Sequence, residues 1–143
     1  MMYEIIPMTR EDVKQVFELE KQIFKDCWSL QSFIIEIENE SISRPIVMKT
    51  GSQVIGYAVV WYYASELHIA NFAIVPDFRR KGLGARLLEY IMDLEDDYQF
   101  AYLEVRKSNT PAIRLYKKYG FTELYTREEY YKDNEDALVM VYN

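Results

Sequence analysis

Apolar and polar residues alternate along this chain with two different periods, and each change of period marks a boundary. The opening "YEIIPM" is a short β-branched run that predicts a strand. Val13, Val16, Phe17, Ile23 and Phe24 then recur at helical spacing. Thr9, with Asp12 three residues on, forms a capping-box start for that helix. Glu20 is the one polar residue on its apolar face. A second short helix is predicted from Ser29, with Leu30, Phe33, Ile34 and Ile37 on one side and acidic residues on the other. The "KDCWS" between the two helices reads as a loop.

The period then shortens to that of strands. "RPIVMKT", "VIGYAVVWYY" and "ELHIANFAIV" are rich in β-branched and aromatic residues, and the first two are joined by a turn at Gly51. After Pro76 and a basic loop, Leu83, Leu87, Leu88, Ile91 and Leu94 predict a helix, and "FAYLEV" a buried strand. Asn109 is placed to cap a further helix over "TPAIRLYKKY", which Gly120 ends. "FTELYTREEYY" and "ALVMVYN" close the chain as two strands around an acidic turn. The order is βααβββαβαββ, an α/β fold layered around a mixed sheet.

Composition narrows the classes. With 143 residues, half of them hydrophobic, residues 1–143 are expected to form one domain with its own core. The net charge of −6 argues against a nucleic-acid binder and leaves room for a basic partner. No apolar run approaches the roughly 18 residues of a membrane span, and "MMYEIIPMTRED" lacks the pattern of a signal peptide. A single cysteine, Cys27, excludes an internal disulfide. A cytoplasmic protein without a membrane partner is expected.

The strongest chemical signal is "RRKGLGARLL", Arg79 to Leu88. Each glycine in a helix costs on the order of 1 kcal/mol relative to alanine. Two in one turn point to a close approach of the backbone, either a tight strand-to-helix turn or an anion cradle. Bare N–H groups at a helix start beside Arg79, Arg80 and Lys81 suit a pyrophosphate. A dinucleotide fingerprint is excluded because Leu87 stands where its third glycine belongs, and no Walker loop occurs.

Two proton-handling candidates follow. By strand alternation Glu104 shares a face with Tyr102 and Arg106. It reads either as a surface carboxylate paired with Arg106 or a lysine, or as a partly buried base whose pKa burial raises. Tyr116 lies on the inward stripe of its helix with Ala112 and Ile113, where a packing role is the usual one. His68 has no His or Cys at metal-ligand spacing and reads as a strand-edge residue, and Cys27 has no histidine near it in sequence to activate it.

On these residues the chain resembles the GNAT (GCN5-related N-acetyltransferase) family over essentially its whole length. In that family a segment after the fourth strand holds the pyrophosphate of acetyl-CoA. It runs Arg or Gln, two variable residues, Gly, one variable residue, then Gly or Ala. Arg79, Arg80, Lys81, Gly82, Leu83 and Gly84 match it in full, and Ala85 continues the helix start. "NFAIVPDFRRKGLGARLL", "YLEVRKSNTPAIRLYKKYGF" and "YYKDNEDALVM" are similar to the RimI-like branch, which acetylates the N-terminal alanine of small-subunit ribosomal protein eighteen. Archaeal alpha-amino acetyltransferases share much of this pattern.

The resemblance implies the GNAT fold, with about seven mostly antiparallel strands flanked by four helices. It implies that Phe72, Ala73 and Ile74 lie where the fourth strand bends from its neighbour and meets the pantetheine arm, and that Asn109 also contacts acetyl-CoA. It implies Glu104 as general base and Tyr116 as general acid toward the leaving thiolate. Trp28, in the loop between the first helices, and Tyr130 and Tyr131, in the late hairpin, are implied to wall the acceptor site. Acetyl-CoA is then the acetyl donor, with no metal. The partner is a protein N-terminus, of a ribosomal protein, without direct nucleic-acid contact, and the chain works as a monomer or weak dimer. An enzyme acting on a small amine or a lysine side chain, and a non-catalytic CoA-binding module, are the alternatives.

Overall fold

The computed structural model describes every residue from Met1 to Asn143. Along the chain run β1 (Glu4–Pro7), α1 (Arg10–Ile23), α2 (Leu30–Glu38), β2 (Ser43–Thr50), β3 (Gln53–Tyr63) and β4 (Glu66–Ile74). A short 3-10 turn, Pro76–Phe78, leads to α3 (Leu83–Met92), β5 (Phe100–Arg106), α4 (Thr110–Lys118), β6 (Thr122–Arg127) and β7 (Ala137–Tyr142). The seven strands form one sheet in the order β1-β2-β3-β4-β5-β7-β6. Every neighbouring pair is antiparallel except β4 and β5, which the α3 crossover makes parallel.

Each helix forms for local reasons as well as tertiary ones. The Asp12 carboxylate accepts the Thr9 backbone N–H at 2.9 Å, closing the start of α1. The Ser29 hydroxyl caps α2 through the Ser32 N–H. At the end of α4 the Phe121 N–H reaches the Tyr116 carbonyl and the Gly120 N–H the Lys117 carbonyl. That is a Schellman stop, with Gly120 at φ +94°.

The sheet has a covered face on each side. Leu83, Leu87, Leu88, Ile91 and Tyr116 pack α3 and α4 on one face. Val13, Val16 and Phe33 pack α1 and α2 on the other. Strand β3 is buried from Val54 to Val60 because both faces are covered there. Strand β5 alternates, with Ala101, Leu103 and Val105 buried while Tyr102, Glu104 and Arg106 are half-buried on the α1/α2 face.

Some boundaries differ from the sequence reading. Helix α3 ends at Met92, so Leu94 packs on the core from beyond it. Leu30 is exposed, because α2 buries a narrower stripe centred on Phe33. Strand β6 stops at Arg127, leaving Tyr130 and Tyr131 in the connection to β7.

Two irregularities shape the centre of the sheet. The β3–β4 register jumps from Val59↔Asn71 to Val60↔Ile69, so Ala70 is the extra residue of a β-bulge. The bulge resets the alternation and puts both His68 and Asn71 on the α1/α2 face. Strands β4 and β5 pair only over Glu66–Ile69 and Phe100–Leu103. Beyond that, β4 stays with β3 and β5 with β7, so a wedge opens between Ala70 and Glu104.

Candidate active site

One side of the wedge is made mostly of backbone. Phe72, Ala73 and Ile74 form the length of β4 that has left β5, and alternate peptide groups there face away from β3. The loop that follows is pinned by the Arg79 Nε, which donates to the Ile74 carbonyl at 3.0 Å. From Arg80 to Ala85 no backbone N–H donates within the chain. The first that does is that of Arg86, to the Gly82 carbonyl at 3.3 Å. The segment between Lys81 and Ala85 therefore presents bare donors at the positive end of α3.

The two glycines serve different needs. Gly82 caps α3 with φ +78°, and a Cβ there would meet nothing within 4 Å. Its requirement is the left-handed backbone, not the close approach expected from sequence. At Gly84 an added Cβ would lie 3.4 Å from Leu115 and 3.8 Å from Ile74, in ordinary contact. A methyl group fits at Gly84, and a longer side chain must turn outward, toward the bare N–H groups.

Tyr116 packs on this same side, edge-on to Phe72 with ring centroids 5.9 Å apart. The ring is buried, yet its hydroxyl makes no hydrogen bond within the chain, and no buried side-chain polar atom lacks a partner. The hydroxyl tip therefore reaches an accessible surface. Burial, and next the charge of Tyr131, push the Tyr116 pKa up, so the phenol keeps its proton at neutral pH. Asn109 caps α4, its Oδ1 accepting the Ala112 N–H at 3.4 Å. Its side-chain N–H groups remain free of that role.

The other side of the wedge is a pocket of about 430 Å3, lined by Asp26, Trp28, Ala70, Glu104, Tyr130, Tyr131 and Lys132. Trp28, Tyr130, Tyr131 and Glu104, expected separately from sequence, meet here. Tyr130 and Tyr131 pack edge-on with centroids 5.1 Å apart. Burial pushes the Tyr131 phenol up to about 12.

Glu104 is not held by Arg106 or a lysine. Its Oε1 lies 2.7 Å from Nε2 of His68, and Arg127 approaches the other oxygen at 4.0 Å. Burial raises the Glu104 pKa, but the His68 hydrogen bond and the charges of His68 and Arg127 outweigh it. The net shift is downward, against the rise expected from burial alone. Glu104 is therefore ionised at neutral pH and accepts a hydrogen bond from Nε2. His68 itself lies in the centre of the sheet, stacked on Tyr102 at 4.3 Å, and not at a strand edge.

Two further residues hold the pocket together. Glu20 is buried beneath α1, where its Oε1 accepts the Tyr57 hydroxyl at 2.7 Å and Asn71 at 3.1 Å, while Oε2 accepts the Trp28 N–H at 3.0 Å. It ties the α1–α2 loop to β3 and β4. Arg106 joins that loop to the β6–β7 connection: Nη2 donates to Asp26, and Nη1 to Asp133 and Glu135, each at 2.9 Å. Its guanidinium also covers the Tyr131 ring at 4.1 Å. The lone polar position on an apolar helix face signalled Glu20 in the sequence, whereas the sequence offered Arg106 only as a candidate partner of Glu104 and not of the three loop carboxylates.

Comparison with known proteins gives a uniform result. The acetyltransferase (GNAT) family profile matches residues 13–121. A Bacillus subtilis protein provisionally named as a [ribosomal protein bS18]-alanine N-acetyltransferase is 37% identical, covering 93% of this chain and 90% of its own. An N-alpha-acetyltransferase of Sulfurisphaera tokodaii is 31% identical, covering 96% and 91%. The crystal structure of the Escherichia coli ribosomal-protein-S18-alanine N-acetyltransferase superposes with a TM-score of 0.89 at 29% identity, over 99% of this chain and 93% of that one.

Proposed function

The chain belongs to the acetyltransferase (GNAT) family, and from that premise we propose that it moves acetyl from acetyl-CoA to the α-amine of a protein N-terminus. The N-terminal alanine of ribosomal protein bS18 is the leading acceptor, supported by the names of the Bacillus and Escherichia relatives. The observation that carries the proposal is the wedge itself. A donor side of bare N–H groups and an acceptor pocket with an ionised carboxylate meet across one gap in the sheet.

Each residue then has a task. The N–H groups from Lys81 to Ala85 and the charges of Arg79, Arg80 and Lys81 hold the pyrophosphate, while those peptide groups along Phe72, Ala73 and Ile74 that face away from β3, apart from the Ile74 carbonyl that Arg79 engages, hold the arm with the Asn109 amide. Acetyl-CoA supplies the activated acyl group. Glu104 takes the proton of the incoming ammonium, with His68, itself held flat against Tyr102, fixing the carboxylate through its hydrogen bond. Tyr116, still protonated, donates to the departing thiolate from the opposite face of the sheet. Trp28, Tyr130 and Tyr131 enclose the acceptor's first residues, and Asp26 with Glu104 favours a positive amine there.

The test uses peptides beginning with alanine, incubated with protein and acetyl-CoA and read by mass spectrometry. Acetyl is expected on the free α-amine and absent when that amine is blocked. Glu104→Gln should still bind acetyl-CoA but lose roughly 10² to 10⁴-fold in turnover near neutral pH, the range for one positioned proton-transfer group. Part of the loss should return at alkaline pH, where more amine is already neutral. Acetyl on lysine of blocked peptides would point to the alternative acceptor class, and full turnover in Glu104→Gln would remove the carboxylate from the chemistry.

A further inference from the structure

A second hollow, of about 300 Å3, lies on the same face of the sheet as Glu104 but toward the starts of β4 and β5. Trp61, Tyr63, His68 and Tyr102 wall it, with Ile42 and Glu66 at its margins. The rings are ordered: Trp61 meets His68 edge-on at 5.1 Å, and His68 lies flat on Tyr102 at 4.3 Å. Glu66 is the one carboxylate of the hollow and takes part in no ion pair within the chain. The hollow adjoins the acceptor pocket, since Trp61 stacks on Trp28 at 6.2 Å and His68 bonds Glu104 at 2.7 Å.

Flat aromatic faces beside one unpaired carboxylate select a particular chemistry. A guanidinium stacks on aromatic rings and pairs with a carboxylate through its planar fork. An acidic group would meet Glu66 and the chain's net charge of −6. An apolar group would strip water from Glu66 without replacing it.

We propose that this hollow is a specificity subsite for a basic side chain, arginine above all, of the acceptor polypeptide downstream of its N-terminal amine. The inference rests on the reading of the chain as an N-terminal acetyltransferase. The spacing is fixed by β4: Ala70 lines the acceptor pocket and Glu66 the hollow, four residues apart. Three regular steps of about 3.3 Å from Glu66 to Ile69 make about 10 Å, and the bulge at Ala70 adds a shorter one, so an extended acceptor covers the span in about three to four residues. The basic side chain therefore belongs about three to four residues into the acceptor.

The experiment is a positional scan at saturating acetyl-CoA. Serine-rich hexapeptides beginning with alanine carry a single arginine at each later position in turn, and KM and kcat are measured. Arginine at the favoured position should lower KM about tenfold with little change in kcat, and citrulline there should not. Glu66→Gln and Tyr63→Ala should each remove most of that gain while acetylating the arginine-free peptide like the unaltered protein. Because Tyr63 is exposed and Glu66 only half-buried, both variants are expected to fold, which the arginine-free peptide itself reports. A benefit from arginine that survives in both variants, or that is equal at every position, overturns the subsite alone. Failure of the unaltered protein to acetylate any of these peptides sinks the N-terminal acceptor reading and the subsite with it.

Discussion

The two sides of the wedge are built from different materials. On the side proposed to take the acetyl donor the available groups are peptide N–H and C=O groups, exposed because β4 leaves β5 and because α3 begins at a left-handed glycine. On the acceptor side they are side chains brought from far apart in sequence, such as Asp26, Glu104, Arg106, Tyr131 and Asp133. A backbone site depends on local conformation and tolerates varied side chains. A side-chain site depends on long-range pairing, and it can change its acceptor without disturbing the donor. Perturbing the donor side should therefore abolish acetyl-CoA binding altogether, whereas perturbing the acceptor side should shift affinity for one substrate only.

The largest effect expected is at Gly84. Glutamate there would place a carboxylate in the first turn of α3, where the helix dipole favours it, so the protein should fold as before. The same carboxylate would occupy the bare N–H groups and repel a pyrophosphate. Acetyl-CoA affinity should fall at least about a hundredfold by calorimetry, because the anion loses its charge-assisted donors, with melting temperature unchanged. An unchanged affinity in the folded variant would mean that the donors of α3 are not the anion site.

Tyr116 tests whether the comparison holds at the gap itself, since its hydroxyl lies on the donor face but is proposed to serve the leaving group. Tyr116→Phe keeps the ring against Phe72 and removes only a hydroxyl that bonds nothing in the chain. Stability should change little, while turnover falls about 10² to 10³-fold and both KM values stay near their original levels, as for a group used mainly in the transition state. A lower melting temperature with near-normal turnover would make the tyrosine a packing residue.

The contrast also explains what was legible in the sequence. The glycine loop, the Thr9, Ser29 and Asn109 caps and the Gly120 stop are encoded within a few neighbouring residues, and the element order followed from periodicity. Trp28, Tyr130 and Tyr131 were nameable only through resemblance, because their meeting depends on two loops about a hundred residues apart. The parallel β4–β5 register that sets His68 opposite Tyr102, on the face of Glu104, was invisible, and so was the bulge at Ala70 that turns Asn71 to the same face. That is why a central histidine read as a strand-edge one, and why burial alone gave the wrong direction for the Glu104 pKa. Pairing across parallel strands leaves no local pattern.

The smallest effect sharpens the acceptor side. Arg106 clamps three carboxylates, Asp26, Asp133 and Glu135, and lies over Tyr131. Arg106→Gln leaves those carboxylates facing one another across the two loops that wall the pocket, so the loops should part and Tyr131 should lose its cover. Acceptor peptide KM should then rise about tenfold, as for losing one forked, charge-assisted contact, while the acetyl-CoA Kd stays unchanged. Arg106→Lys keeps the charge without the planar fork and should fall between the two. Because the Arg106 side chain is 20% exposed, added salt should weaken the clamp in the unaltered protein and raise its peptide KM, and it should do so less in Arg106→Gln, which has no clamp left to screen. If instead acetyl-CoA affinity falls with peptide affinity in Arg106→Gln, the two sides are coupled through β5, and the wedge behaves as one site and not as two.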